Sequence, residues 1–327
     1  MIITRAPYRV TLAGGGTDLP AFYEKHGGAV TSMALDKYIF VSFKKNLLED
    51  HVRLHYLKTE VVDNINKLSH DRAREALRSF GILNQCEISS TGDLPGRSGL
   101  GSSGSYLVAL INCLNEHQKA GMSRHEIASM ACRIEMEDLR EPVGKQDQFI
   151  AAYGGIRTFS IDRMGNVEVE DLRLTEEDVG LFTERCRIYY TGNQRSASNI
   201  LKSQTDNKAN FDDQMRQIQN LSWRFVEALK MRNFDEYGQL LHQHWTYKKK
   251  LSSKMTNPFI DGIYSHLKEN KLILGGKIIG AGGGGFLMVY APQEFDKVDK
   301  YMEAHDMVRL DYSPDKEGVQ TLYKGGL

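Results

Sequence analysis

The 327-residue sequence carries three glycine-rich stretches and, between the second and third, two carboxylates whose placement suggests chemistry. The middle stretch, "GDLPGRSGLGSSGSYLVALINCL" from Gly92 to Leu114, holds five glycines and four serines in its first fourteen residues and then turns almost wholly apolar. That is linker composition followed by a helical pattern. Free N–H groups and the positive dipole end converge at a helix start, so a glycine turn feeding a helix is a ready cradle for phosphate. Capping of the helix by Ser102, Ser103 or Ser105 explains the same letters, and the loop alone does not separate the two readings. No Walker A pattern, G-x-x-x-x-G-K-[ST], occurs in the chain.

The first carboxylate is Glu135. "SRHE" from Ser123 to Glu126 is a capping box, with Ser123 at the N-cap and Glu126 at N3. Ile127 and Ala131 then fall in line with Glu135 at i, i+4 and i+8, so this carboxylate shares the inward stripe, while Glu137 faces away. A carboxylate on a buried face is costly unless a cation meets it. The second is Asp147 in "EPVGKQDQF", between a helix and an apolar run; its plainest use is as an N-cap.

The other glycine stretches are "APYRVTLAGGGTDLP", residues 6–20, and "KIIGAGGGGF", residues 277–286. The latter fits G-x-G-x-x-G at Gly280, Gly282 and Gly285, but "FLMVYA" follows at once, a strand by composition, and the dinucleotide fingerprint must open a helix. A Rossmann oxidoreductase is set aside on that ground. A hairpin turn and a backbone wall against which a ligand packs both stay open.

These residues need elements to hold them. "YRVTLA", "YIFVSFKK", "VRLHY" and "CEISSTG" read as strands, "SHDRAREALRSFGI" and residues 103–118 as helices, and "GGIRTFSID" and "GNVEVEDLRL" as further strands. Past residue 185 the character changes to long helices: Phe211, Met215, Ile218, Ser222, Phe225 and Leu229 trace one stripe, a second helix runs from Phe234 to about Lys250, and a third opens at Asn257-Pro258. Trp223, Phe225 and Trp245 are expected on core stripes, and His242 and His244, two apart on a helix, point to different sides and read as packing.

The composition, with 42 basic and 42 acidic residues, lacks the surplus of positive charge that a nucleic-acid or anionic-membrane binder wants. Four scattered cysteines without a C-x-x-C pair read as reduced core thiols, and the N-terminus has no apolar signal core, so a cytoplasmic protein of two domains is expected.

Taken in order, APxRVxLxGxxTD, PxxxGLGSSG, an inward Glu, GxxDQF and a late GAGGGG resemble the GHMP kinases over almost the whole chain. The resemblance implies an α+β protein of two domains, 1–184 like the second domain of ribosomal protein S5 and 185–327 ferredoxin-like, using ATP and Mg2+. By the same resemblance the backbone of Pro95, Gly96, Ser98, Gly99, Leu100, Gly101, Ser102, Ser103, Gly104 and Ser105 wraps the ATP phosphates. Ser103 and Glu135 hold the metal ion, Asp147 is the catalytic aspartate and Arg9 the basic residue beside it. Glu135 stands twelve residues before Asp147, as in galactokinases.

Galactokinases carry GEHTD where this chain has Gly14, Gly15, Gly16, Thr17 and Asp18; Gly15, Gly16, Thr17 and Asp18 are expected to bind the substrate, Asp18 by bonding sugar hydroxyls, and the loss of a carboxylate suits a larger, anionic sugar. "AGGGTDLP", "REPVGKQDQF" and "YTGNQRSAS" are most similar to the kinases of D-glycero-D-manno-heptose 7-phosphate, which phosphorylate the anomeric hydroxyl. Lys145 and Arg195 are the candidates for the existing phosphate, and Gly282 and Gly283 for the wall of the acceptor site. Two rival readings keep the fold: a kinase of free fucose or galactose, and a non-catalytic sugar sensor. The sensor is disfavoured because Arg9, Ser103, Glu135 and Asp147 are all present.

Overall fold

Ile2–Ala13 forms a strand in which everything from Ala6 onward is buried, as befits a strand inside a sheet covered on both faces. The computed structural model, which describes residues 1–96, 98–192 and 208–325, pairs it antiparallel with Gly28–Lys45. That second strand is 18 residues long and organises the first sheet. Along its other side its first half pairs with Ile156–Ile161 and its second half with Cys86–Gly92. The hairpin of Val52–His55 and Thr59–Val62 extends the sheet past Cys86–Gly92, and Val167–Asp171 extends it past Ile156–Ile161. "YIFVSFKK" is only the alternating half of the long strand. The half before it, "GAVTSMAL", is buried on both faces and so shows no alternation.

The helix Ser102–Gln118 lies on the two central strands, and every residue from Gly104 to Asn115 is buried. Its uniformly apolar sequence reflects that central place. Arg124–Arg133 follows, with the capping box of Ser123 and Glu126 formed and a π-turn, Ile134–Asp138, continuing it. Two short helices that the sequence did not announce, Pro20–His26 and Glu176–Arg185, complete this half.

Four antiparallel strands make the second sheet, in the order Val308–Arg309, Cys186–Tyr190, Phe286–Tyr290, Gly275–Ile278. Both of its faces are covered. Phe286, Met288 and Tyr290 join the core that runs through Phe225 and Tyr237 to the first sheet. Leu287 and Val289 point the other way, against Ile260, Leu267 and Val298 of the helices Pro258–Glu269 and Phe295–Glu303. The helices Lys208–Lys230 and Phe234–Lys249 pack on each other between the sheets. The expected stripe from Phe211 to Leu229 is buried throughout. Trp223 is a correction: it is 50% exposed, because it sits one position, about 100°, off the stripe through Ser222.

The division expected at residue 185 falls where Glu176–Arg185 meets Cys186–Tyr190, the first strand of the second sheet. Near the other end of the expected 185–327 unit, Gln320–Lys324 returns to pair with Ile2–Arg5 in the first sheet. The returning strand covers what would otherwise be an open edge of Ile2–Ala13. Among the described residues no helix is long and apolar enough to cross a membrane.

Candidate active site

Pro7 interrupts the donor ladder of the first strand, and the register with Gly28–Lys45 shifts between Pro7 and Arg9. Arg9 follows that irregularity and is 5% exposed. Its main-chain N–H donates to the Leu100 carbonyl at 2.9 Å, which ties the glycine loop to the strand. Its guanidinium donates from Nε to Asp147 Oδ1 at 2.7 Å, from Nη2 to Asp147 Oδ2 at 2.8 Å, and from Nη1 to the Gly99 carbonyl at 2.5 Å. This two-pronged grip on a carboxylate is the strong form of an ion pair. Asp147 lies in the first turn of Gln146–Tyr153 and not at its cap, which is Lys145, so its plain use as an N-cap gives way to the pairing with Arg9. Gly104, at the start of the loop's helix, lets the two helix starts touch: a Cβ there would come within 2.9 Å of Asp147 Cβ.

Glu135 points inward, 1% exposed, as the helix period predicts. The cation that meets it is Arg72 of the helix Asp71–Ser79, whose Nε donates to Oε1 at 2.9 Å; Gln148 Nε2 donates to Oε2 at 2.5 Å. Arg72 also donates from Nη2 to Glu141. Burial pushes the Glu135 carboxyl above its ordinary pKa, with Arg72 pulling the other way. Arg72, Gln148 and Glu141 were not singled out in the sequence; the buried carboxylate demanded a partner without saying which residue supplies it.

Asp18 is 1% exposed and faces the same space. It accepts from the main-chain N–H of Gln146 and of Gly16, both at 3.1 Å, while burial raises its pKa. Gln146, another residue the sequence left unmarked, accepts in turn from the Thr11 hydroxyl at 2.6 Å. Thr17 is fully buried, its hydroxyl held among the Gly14 and Ala29 main-chain atoms, so it fixes the turn and does not reach the cavity.

Between these groups lies a cavity of about 420 Å³. Gly99, Gly101, Ser102 and Ser103 form one wall and Gly280, Gly282 and Gly284 another, with Gly15, Gly16, Asp18, Arg72 and Lys248 also lining it. Of the remaining loop residues, Pro95 and Gly96 are exposed, Ser98 and Leu100 are buried, and Ser105 donates its hydroxyl to the Pro7 carbonyl at 2.7 Å, away from the cavity. Gly283 is turned from the cavity, its N–H bonded to the Met255 carbonyl at 2.8 Å. Lys145 also lies outside the cavity lining: its ammonium donates to the Gly165 carbonyl and sits 5.4 Å from the Tyr23 ring centre. Arg195 lies outside the described residues. The third glycine stretch is the turn of a hairpin, with Ile279 N–H bonded to the Phe286 carbonyl at 2.9 Å, and is at the same time a cavity wall. The two readings left open in the sequence coincide.

Both loops present main chain to the cavity, and Asp147, gripped by Arg9 through both carboxylate oxygens, stands at the start of a helix beside them. Comparison with known proteins gives the class: this is a phosphotransferase with an alcohol group as acceptor. Residues 66–155 match the GHMP kinases N terminal domain and residues 225–304 match the GHMP kinases C terminal domain, together more than half of the chain. The chain belongs to the GHMP kinase family and has its two-domain α+β fold.

It is 28% identical to the D-glycero-alpha-D-manno-heptose 7-phosphate kinase of Campylobacter jejuni over 98% of both chains. Among solved structures it is similar to a D-glycero-D-manno-heptose 1-phosphate kinase from Bacteroides thetaiotaomicron, with a TM-score of 0.81 at 20% identity over the whole of both chains. It is similar also to Lactococcus lactis galactokinase complexed with galactose, with a TM-score of 0.74 at 17% identity over 98% of this chain and 94% of that one. At these identities the structural likenesses speak for the fold.

Proposed function

We propose that this chain transfers the γ-phosphoryl group of ATP to the anomeric hydroxyl of D-glycero-D-manno-heptose 7-phosphate, giving the 1,7-bisphosphate. The observation that carries the chemistry is the Arg9 fork on Asp147 at the cavity wall. A carboxylate has about four lone-pair sites, so two remain for an acceptor hydroxyl. In the step proposed, the acceptor oxygen attacks the γ-phosphorus and the bond from phosphorus to the β–γ bridging oxygen breaks. ADP leaves, and the hydroxyl proton passes to an Asp147 oxygen. Main-chain N–H groups of the loop from Gly99 to Ser103 bind the triphosphate, and Asp18 orients the sugar. Phosphoryl transfer needs mainly such positioning and charge neutralisation.

Mg2+ takes hard oxygen ligands and few of them from protein. The Ser103 hydroxyl on the cavity wall and the Glu135 carboxylate, which is buried and not among the residues lining the cavity, are donors whose chemistry fits the ion. When bound, the ion would neutralise triphosphate charge. Both Glu135 oxygens already have partners, so Glu135 would hold the ion only by loosening its bonds from Arg72 or Gln148. Glu135→Gln is therefore expected to raise the Mg2+ concentration for half-maximal activity by about tenfold or more. An unaltered Mg2+ titration would remove Glu135 from the metal role.

The choice of sugar rests on the relative named as a heptose 7-phosphate kinase, matched end to end, and on the glycines at 15 and 16. The name of the structural relative places phosphate at position 1 and not 7, so the test must span both. ATP turnover is to be measured against heptose 7-phosphate, heptose 1-phosphate, free heptose, L-fucose and galactose. The 7-phosphate is expected to give the highest kcat/KM, and a free hexose that outruns it would overturn the assignment.

A further inference from the structure

Three cations line the cavity among the described residues: Arg9, Arg72 and Lys248. Arg9 is committed to Asp147 and Arg72 to Glu135 and Glu141. Lys248 is different. It lies on the inward stripe of Phe234–Lys249 with Leu241, His244 and Trp245, and is only 5% exposed. Its ammonium donates to the Gly280 carbonyl at 2.7 Å, and among the described residues it forms no ion pair. An ammonium has three donors, and a neutral carbonyl satisfies one of them.

The surroundings make this a positive corner that Asp18 offsets only in part. Lys277, 1% exposed, is close enough to repel Lys248, and among the described residues its ammonium donates to another carbonyl, that of Leu12, at 3.1 Å. Among the described residues neither ring nitrogen of the fully buried His244 has a hydrogen-bond partner, and an imidazole carries no negative charge to offset the ammonium. Buried charge without a partner is expensive and is retained where a ligand completes it. The approach to Lys248 is over Gly15: a Cβ at that position would stand 4.0 Å from the ammonium and 3.0 Å from Thr11 Cγ2, so any side chain would intrude between cavity and cation.

We propose that Lys248 anchors the phosphate that the acceptor already carries, reached across Gly15 on the Asp18 side of the cavity. This rests on the sugar-phosphate reading above and takes the role expected of Lys145, which lies outside the cavity lining. The charges acting on Lys248 are those of Arg9 and Lys277, which repel it, and Asp18, which attracts it. Burial, with Arg9 adding, lowers its pKa to about 8. The cation is therefore present below that pH and lost above it, and affinity for the phosphosugar falls as pH rises through it.

The test compares native enzyme with Lys248→Met and Lys248→Gln, using heptose 7-phosphate, free heptose and ATP as separately varied substrates. The KM for the 7-phosphate is expected to rise about 10- to 100-fold, as loss of a charge-assisted contact implies. The KM values for free heptose and for ATP stay within about twofold, because the contact exists only with the sugar's phosphate. In native enzyme the KM for the 7-phosphate climbs above about pH 8, a profile that needs no variant and so does not depend on either one folding. An unchanged KM for the 7-phosphate in both variants, a flat native profile, or a rise confined to ATP overturns the assignment of Lys248. If native enzyme does not distinguish heptose 7-phosphate from free heptose, the sugar-phosphate reading itself fails, whatever Lys248 does.

Discussion

Asp147→Asn enzyme is expected to fold like the native protein and to turn over about 10³-fold more slowly, within the range that loss of a positioned proton acceptor produces. The substitution keeps shape and one acceptor oxygen, so one of the two Arg9 bonds survives, and so does the bond from Arg9 to the Gly99 carbonyl. The main chain around residue 147 is fixed by its helix and by the contact with Gly104, neither of which the change touches. What is lost is a carboxylate with lone pairs free to receive the acceptor proton. The loss should therefore appear in kcat, with the KM for the phosphosugar moving only a few-fold, when ADP release is followed at saturating ATP. Turnover within threefold of native would show that Arg9 holds Asp147 for structure alone.

Glu135 illustrates how much of this site the sequence discloses. Its inward direction follows from the helix period and a capping box twelve residues earlier, both local facts, and both are formed. Its partner Arg72 sits 63 residues upstream on a helix whose sequence shows several arginines, and only tertiary packing selects one of them. The same limit hid Lys248. In "YKKK" it looks like one of three charges at the end of a helix, yet its position on the stripe of Leu241, His244 and Trp245 could have marked it as inward.

Polar letters misled in the reverse direction as well. Ser105 and Thr17 occur in motif positions but spend their hydroxyls on main-chain carbonyls inside the protein. The pairing of Gln320–Lys324 with the first strand was illegible for another reason: a five-residue strand records its own alternation and nothing about which edge it will complete.

The glycine loops were legible as loops, whereas their mutual contact was not, and that contact supports the second large expectation. Gly285 has φ +88, in the left-handed region, and a Cβ on it would overlap the Ser98 carbonyl oxygen. It has little room to retreat, because its own carbonyl accepts from the Thr191 N–H at 2.8 Å and the Thr191 hydroxyl at 3.1 Å. In Gly285→Ala the loop that carries Ser98 must move instead. That loop is tied to Arg9 through the Leu100 and Gly99 carbonyls, so the shift reaches the grip on Asp147.

A displacement of about 1 Å at a reacting centre can cost about 10²-fold, and kcat/KM is expected to fall by at least that much. The melting temperature should drop by several degrees as well, since a left-handed alanine costs roughly 1–2 kcal/mol before any clash is counted. Gly262→Ala supplies the contrast. It lies inside Pro258–Glu269 with nothing within 4 Å of its added Cβ, so it should stabilise by about 0.5–1 kcal/mol and leave activity alone. A Gly285→Ala enzyme as active as Gly262→Ala would mean that the two glycine loops need not touch for phosphoryl transfer to proceed.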